Sequence, residues 1–202
     1  MVDAFDTKDP WANEPVIRQL WWSERKQWCA HLLRLSPEDR RHRFAGEVTD
    51  AFIRSYCEAA DPFVVIVFGA FVDGELRAVG EFALLERACP RRCRAELAFS
   101  VEAGWQGQGL GTALFRSLVM HARNRSVAHI YLVTEPDNSR MHRIASKFGM
   151  TTSPSDEDPT RRVELHGPSY CTVIGEMMTE GVALLRHAPE LPQLPKETAG
   201  DA

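Results

Sequence analysis

The residues of this chain best suited to chemistry lie between positions 81 and 141. Gln106-Gly107-Gln108-Gly109-Leu110-Gly111 sets three glycines within six residues, just ahead of a helix-like stretch that begins near Gly109. Glycines in such a turn let a ligand approach the backbone without meeting Cβ atoms. The first N–H groups of a helix have no intrahelical partner and sit at the positive end of its dipole. The combination favours a phosphate or pyrophosphate. Upstream, Glu96 is a lone acid in the apolar run Ala95-Glu96-Leu97-Ala98-Phe99-Ser100-Val101, and Glu81 follows Gly80 in the run before it. A carboxylate withdrawn from water keeps its proton to higher pH, which suits a general base. Strand alternation puts Glu96, Ala98 and Ser100 on one face and Leu97, Phe99 and Val101 on the other.

The common phosphate-binding turns can be compared with this one. A nucleotide-triphosphate loop needs Lys and then Ser or Thr after its last Gly, whereas Gly111 is followed by Thr112 and Ala113. A dinucleotide fingerprint needs G-x-G-x-x-G spacing, which this turn lacks, although residues 130–134 lead into an acid, Glu135. The pattern that fits is Q-x-x-G-x-G, carried by Gln106, Gly109 and Gly111. A second segment follows: Glu135-Pro136-Asp137-Asn138-Ser139-Arg140-Met141, then Ile144-Ala145, then Lys147-Phe148-Gly149-Met150. The two motifs at this separation resemble the coenzyme A-binding core of the GNAT N-acetyltransferase superfamily. The resemblance is strong over residues 64–150, thin over 16–61 and poor after 151. Ala95-Glu96-Leu97-Ala98-Phe99 is closest in form to the GNAT domain of bacterial protein-lysine acetyltransferases.

The resemblance implies acetyl-coenzyme A as co-substrate, an amine acceptor (a protein lysine or a small molecule) and no metal. It assigns the diphosphate to the amides of Gln106, Gly107, Gln108, Gly109, Leu110, Gly111 and Thr112. The thioester oxygen falls to backbone N–H groups of Phe99, Ser100 and Val101. Asn138 either reaches the pantetheine arm or caps its own helix; Arg140 and Met141 follow it. Arg116 and Arg140 either meet the 3′-phosphate or ribose or are solvated helix arginines. Glu96 is the first candidate for the base and Glu81 the second; the other reading of each is a carboxylate facing solvent, for Glu96 one paired with Arg94. Many family members carry a Tyr seven residues after the Asn, where it protonates the leaving thiolate; here that position is Ala145. The gap leans toward the protein-acetyltransferase branch and leaves open a non-catalytic sensor or scaffold that holds acyl-coenzyme A. A nucleotide-binding α/β domain of another class is the third reading.

These residues need a scaffold to position them. Residues 16–20 read as a short strand. Ser23 is expected to cap a helix carrying Trp28, Leu32 and Leu33. Ser36-Pro37-Glu38-Asp39 marks a helix start that runs to about Phe44, and Thr49 caps another whose buried stripe is Phe52, Ile53 and Tyr56. Residues 63–72 form an apolar strand, Asp73-Gly74 a type I′ hairpin, and 76–85 the return strand. Further strands are expected over 95–101, 129–134 and 161–165, helices over 109–124 and 138–148, and a terminal helix over 170–187. The order predicts an α/β domain: a GNAT-like mixed sheet of six or seven strands, antiparallel and then parallel, with helices on both faces and splayed central strands. The domain is expected over 15–187, with residues 1–14 loose and 188–202 a disordered tail. Arg40-Arg41-His42-Arg43 reads as a solvated helix face, Trp11, Trp21, Trp22 and Trp28 as covering the sheet. His31, His121 and His187 show no arrangement resembling a triad.

The 202 residues carry 24 Lys and Arg against 28 Asp and Glu, a net charge of −4, which gives no general attraction to nucleic acid or acidic membranes. No apolar run approaches a membrane span and the polar N-terminus is no secretory signal. The odd cysteine count predicts reduced thiols and a cytoplasmic location, and no second Cys pair or nearby His completes a zinc set with Cys89 and Cys93. A homodimer through residues 170–187 is one arrangement open to the chain.

Overall fold

The computed structural model of the chain describes residues 14–85, 93–152, 160–165, 173–174 and 176–178. Its elements in order are Val16–Gln19 (β1), Arg25–Arg34 (α1), Pro37–Phe44 (α2), Asp50–Ala59 (α3), Val65–Val72 (β2), Glu75–Leu84 (β3), Cys93–Val101 (β4), Leu110–Asn124 (α4), Val127–Val133 (β5), Ser139–Lys147 (α5), Thr151–Thr152 (β6) and Thr160–Glu164 (β7). The capping signals act where the chain carries them. The Ser36 hydroxyl accepts from the Asp39 N–H at 3.1 Å, with Pro37 opening α2, and Thr49 accepts from Phe52 N–H at 3.2 Å. Asp73 and Gly74 take positive φ, 52° and 77°, as a type I′ turn requires.

Several local expectations need correction. Ser23 lies inside a 3₁₀ turn, Trp22–Glu24, and α1 begins after Glu24. On α3 the buried residues are Ile53 and Cys57, while Phe52 is exposed. Strand β4 begins at Cys93 rather than Ala95, because pairing with Val127 extends it beyond its apolar stretch. Trp28 is buried, but Trp21 and Trp22 lie at the surface. Residues 1–13 with Trp11, the expected tail 188–202, most of the expected helix 170–187 with Cys171 and His187, and Cys89 fall outside the described residues. Val173, Ile174 and Glu176–Met178 are helical.

Among the described residues, seven strands form one sheet in the order β1-β2-β3-β4-β5-β7-β6. The first four are antiparallel neighbours, β4 and β5 are parallel, and β5-β7-β6 return antiparallel. Each face is covered by helices and has its own core. Phe68, Phe82, Leu97, Ile130 and Leu132 pack with Leu114, Phe115 and Leu118 of α4 and with Met141 and Ala145 of α5. On the other face Val67, Phe71 and Val79 pack with Trp28 and Leu32 of α1 and Ile53 and Cys57 of α3. Helix α4 lies so close to β3 that a Cβ at Gly80 would stand 2.8 Å from Leu118 Cδ1. The far end of α4 is tied to the C-terminal segment: Glu176 contacts His121 Nδ1 (3.1 Å) and accepts from Arg125 (3.0 Å).

Leu118 is fully buried at this closest approach of helix and sheet. We expect Leu118→Ala to lower unfolding free energy by about 2–5 kcal/mol. Urea denaturation checks this, and a loss below about 1 kcal/mol would contradict the packing.

Candidate functional site

The parallel register between β4 and β5 ends at Leu97 and Leu132, and from there the strands part. Leu85 N–H donates to Arg94 O (3.0 Å) and Glu102 N–H to Arg77 O (3.1 Å), so the even-numbered residues of β4 direct their backbone groups toward β3. By ladder alternation the odd-numbered Phe99 and Val101 direct theirs toward the gap. Val101 O is met there by Gln106 Nε2 at 3.0 Å.

The gap opens into a cleft of about 280 Å³. Its walls come from β4 (Phe99, Ser100, Val101), the glycine turn and first turn of α4 (Gln106, Gly107, Gly109, Leu110, Gly111, Thr112), and α5 with its cap (Asn138, Arg140, Met141). Gly107 and Gly109 take left-handed φ, 77° and 87°, and a Cβ on either would meet nothing within 4 Å. The turn thus leaves open space above the N–H groups that start α4, as a diphosphate needs. Asn138 caps α5, accepting from Met141 N–H at 3.1 Å, while also lining the cleft.

Some expected residues stand elsewhere. Gln108 is outside the lining and donates to Gly104 O (3.1 Å). Arg116 is exposed on α4 and outside the lining. Arg143 and Lys147, which sequence reading missed, line the cleft beside Arg140. Ala145 is fully buried in the core, so the position where relatives carry Tyr offers the cleft no proton donor. His142 Nε2 lies 2.9 Å from Glu135 O.

The two candidate acids differ in their surroundings. Glu81 is buried under α1 and α3 with both oxygens engaged. Trp28 Nε1–H donates to Oε1 (3.0 Å), the Tyr56 hydroxyl donates to Oε2 (2.6 Å), and Arg43 pairs with Oε2 (2.5 Å). Burial opposes the charge on Arg43, but Glu81 and Tyr56 together outweigh it and lift the guanidinium pKa above its usual value. Glu96 is half-buried one residue before the parting point, between Ala83 on β3 and Tyr131 on β5, on the face covered by α1 and α3. It lies outside the cleft lining.

Helix α2 closes the cleft on one side with Asp39 and His42. Its basic run is not a solvated face. Arg40 pairs with Asp50 (2.6 Å), Arg41 with Glu135 and with Asp137 (2.5 Å), and Arg43 with Glu81. Asp39 accepts from Gln106 Nε2 at 2.8 Å. His42 Nε2 lies 3.2 Å from Asp137 Oδ1.

His31 also corrects the sequence reading. It is fully buried on α1, with Nε2 2.9 Å from Ser100 Oγ and Nδ1 3.3 Å from Glu102 Oε1. Arg34 and Arg77 also donate to Glu102, at 2.8 and 3.2 Å. Burial works against ionising Glu102, but the hydrogen bonds from His31 and Arg34 outweigh it and hold its pKa at about 2. Burial lowers the pKa of His31, with Glu102 acting in the opposite direction. Ser100, His31 and Glu102 are therefore linked in a chain whose first residue, Ser100, lines the cleft.

The family model described as the acetyltransferase (GNAT) family matches residues 6–150. An acetyltransferase of Pseudomonas aeruginosa is 29% identical over 153 residues, covering 72% of this chain and 80% of that protein. Among solved structures, the GNAT domain of S. lividans PAT matches with a TM-score of 0.62 at 21% identity, over 77% of this chain and 97% of that one. The putative acetyltransferase yncA from Salmonella typhimurium, solved with its cofactor acetyl-CoA, matches with a TM-score of 0.56 at 17% identity, over 79% and 100%. At these identities the solved structures establish the shared fold.

Both groups bind fewer protons folded than unfolded, so acid favours the unfolded chain. The stability held by His31 should fade as pH drops below 6.5, and that held by Glu102 between 4.5 and about 2. Urea midpoints measured against pH should fall across both ranges, and Glu102→Gln should flatten the lower one. A Glu102→Gln profile parallel to wild type below pH 4.5 would contradict this.

Proposed function

The chain belongs to the acetyltransferase (GNAT) family, and from that premise we propose that it moves an acetyl group from acetyl-coenzyme A to an amine, a protein lysine or a small molecule, by direct attack. The observation that carries this is the cleft: glycine turn, helix start and open β4 edge meet in one continuous wall. The co-substrate supplies an activated thioester carbonyl and a thiol that leaves readily. The chain's own groups do the rest. N–H groups at the start of α4 hold the diphosphate, with Arg140, Arg143 and Lys147 lending positive charge. The amides of Phe99 and Val101 face the thioester arm, where a donor stabilises charge building on the carbonyl oxygen. Holding both reactants in one slot removes much of the entropic barrier.

An ammonium ion has no lone pair, so the acceptor must lose a proton before it attacks. Glu96 is the proposed base, since it lies beside the parting point on the face that α1 and α3 cover. Glu81 is better suited to fixing α2 and α3 against the sheet, because Trp28, Tyr56 and Arg43 already use its oxygens.

Two experiments test this. Gly109→Asp sets a carboxylate over the turn at a position with free space and should abolish acetyl-coenzyme A binding by calorimetry; unchanged affinity would remove the turn from the site. Release of free thiol with a panel of lysine peptides, polyamines and amino sugars should identify the acceptor. With that acceptor Glu96→Gln should turn over about 10²-fold more slowly at nearly constant cofactor affinity. Wild-type turnover by the variant at every pH would exclude Glu96 as the base.

A further inference from the structure

Acetylation of an ammonium group releases two protons from nitrogen. One leaves before attack, and a base such as Glu96 passes it to water. The second is shed when the amine has added to the acyl carbon, and one proton must reach the departing sulfur. The position used for that donor in many relatives is Ala145, sealed in the core. The cleft wall holds another hydroxyl. Ser100 lines the cleft and its Oγ lies 2.9 Å from buried His31 Nε2, whose Nδ1 faces Glu102.

The partners fix the direction of these hydrogen bonds. Glu102 is anchored as a carboxylate by Arg34 and Arg77, and a carboxylate only accepts. His31 Nδ1 therefore carries the proton and donates to Glu102. Neutral imidazole then offers a lone pair at Nε2, so the Ser100 hydroxyl donates to it. Ser100, a residue of the cleft wall, then keeps its Oγ lone pairs for a proton from the cleft.

Resting on the acetyl-transfer reading, we infer that Ser100, His31 and Glu102 form a proton shuttle that collects the second amine proton and returns it to the leaving sulfur. As nitrogen of the adduct gives its proton to Ser100 Oγ, the Ser100 proton passes to His31 Nε2. The resulting imidazolium is held by Glu102. The adduct collapses, the C–S bond breaks and its electron pair goes to sulfur. His31 then returns its proton to Ser100 as the serine hydroxyl proton passes to the thiolate. The chain ends as it began, and the products are amide and free thiol. Ser100 is the catalytic residue of the set, and His31 and Glu102 are positioning residues that act through it. Burial supports this use of His31: a readily protonated imidazole would rest charged and could not collect.

Ser100→Ala removes one oxygen from a buried site, and His31→Gln keeps a partner for Ser100 that cannot titrate. With the acceptor that turns over fastest in the amine panel, each variant should lose about 10–10²-fold in kcat with KM and acetyl-coenzyme A affinity little changed. The double variant should lose no more than either single one, since the residues act as a unit. In mixtures of H₂O and D₂O, wild-type kcat should bow with isotope fraction, as several protons move together, and Ser100→Ala should give a straight line. A readout independent of turnover is the ¹⁵N spectrum of His31, which should show the Nδ1–H tautomer with an Nε2 signal that shifts in Ser100→Ala. Variants within threefold of wild type, or an Nε2–H tautomer, would overturn the shuttle while leaving acetyl transfer standing. Wild-type protein that turns over no amine would overturn both.

Discussion

The separation of β4 from β5 after Leu97 and Leu132 is the constraint on which the rest depends. Below that point the strands share a parallel ladder, with one register shift between Cys93 and Arg94. Above it the ladder ends while β4 continues four residues to Val101, held from the other side by β3. A strand edge left unpaired inside a fold carries backbone donors and acceptors that need partners. Gln106 satisfies the Val101 carbonyl, and the remaining edge is available to an extended ligand arm. The glycine turn then starts α4 directly above, so a polar edge and a helix N-terminus face one cleft.

The parted strands are braced by charge rather than by more sheet. Helix α2 reaches the β5–α5 connection through Arg41, the glycine turn through Asp39 and β3 through Arg43. The Arg43–Glu81 pair is buried, and such pairs lose hydration that their attraction must offset. Trp28 and Tyr56 complete the hydrogen bonding of Glu81, which makes burial tolerable and fixes where α1, α2 and α3 sit. The same helices place His31 behind Ser100 and His42 in the cleft wall, so the position of both depends on the ionic bracing behind them.

Local features were legible in the sequence, and long-range ones were not. The glycine turn, the Ser36, Thr49 and Asn138 caps and the Asp73-Gly74 hairpin are decided by neighbouring residues, and each formed. The even and odd faces of β4 followed from strand period alone. The roles of Glu81 and of the α2 arginines were hidden because their partners lie far along the chain, 94 residues away for Arg41 and Glu135. His31 sits in the apolar stripe of α1 between Trp28 and Leu32, a pattern that flags a buried histidine but not its contact with Ser100 across 69 residues. Arg143 and Lys147 follow Arg140 at three- and four-residue spacing, a helical-face signal that could have found the basic wall of the cleft but that sequence reading missed.

The central claim is that the gap between β4 and β5 is where coenzyme A lies. Amide NMR shifts on titration with coenzyme A test it residue by residue. The largest changes should fall on Phe99, Val101, residues 106–112 and Arg140, with β1 and α3 unaffected. Saturating ligand that leaves the amides of Phe99, Val101 and the glycine turn unmoved would contradict it.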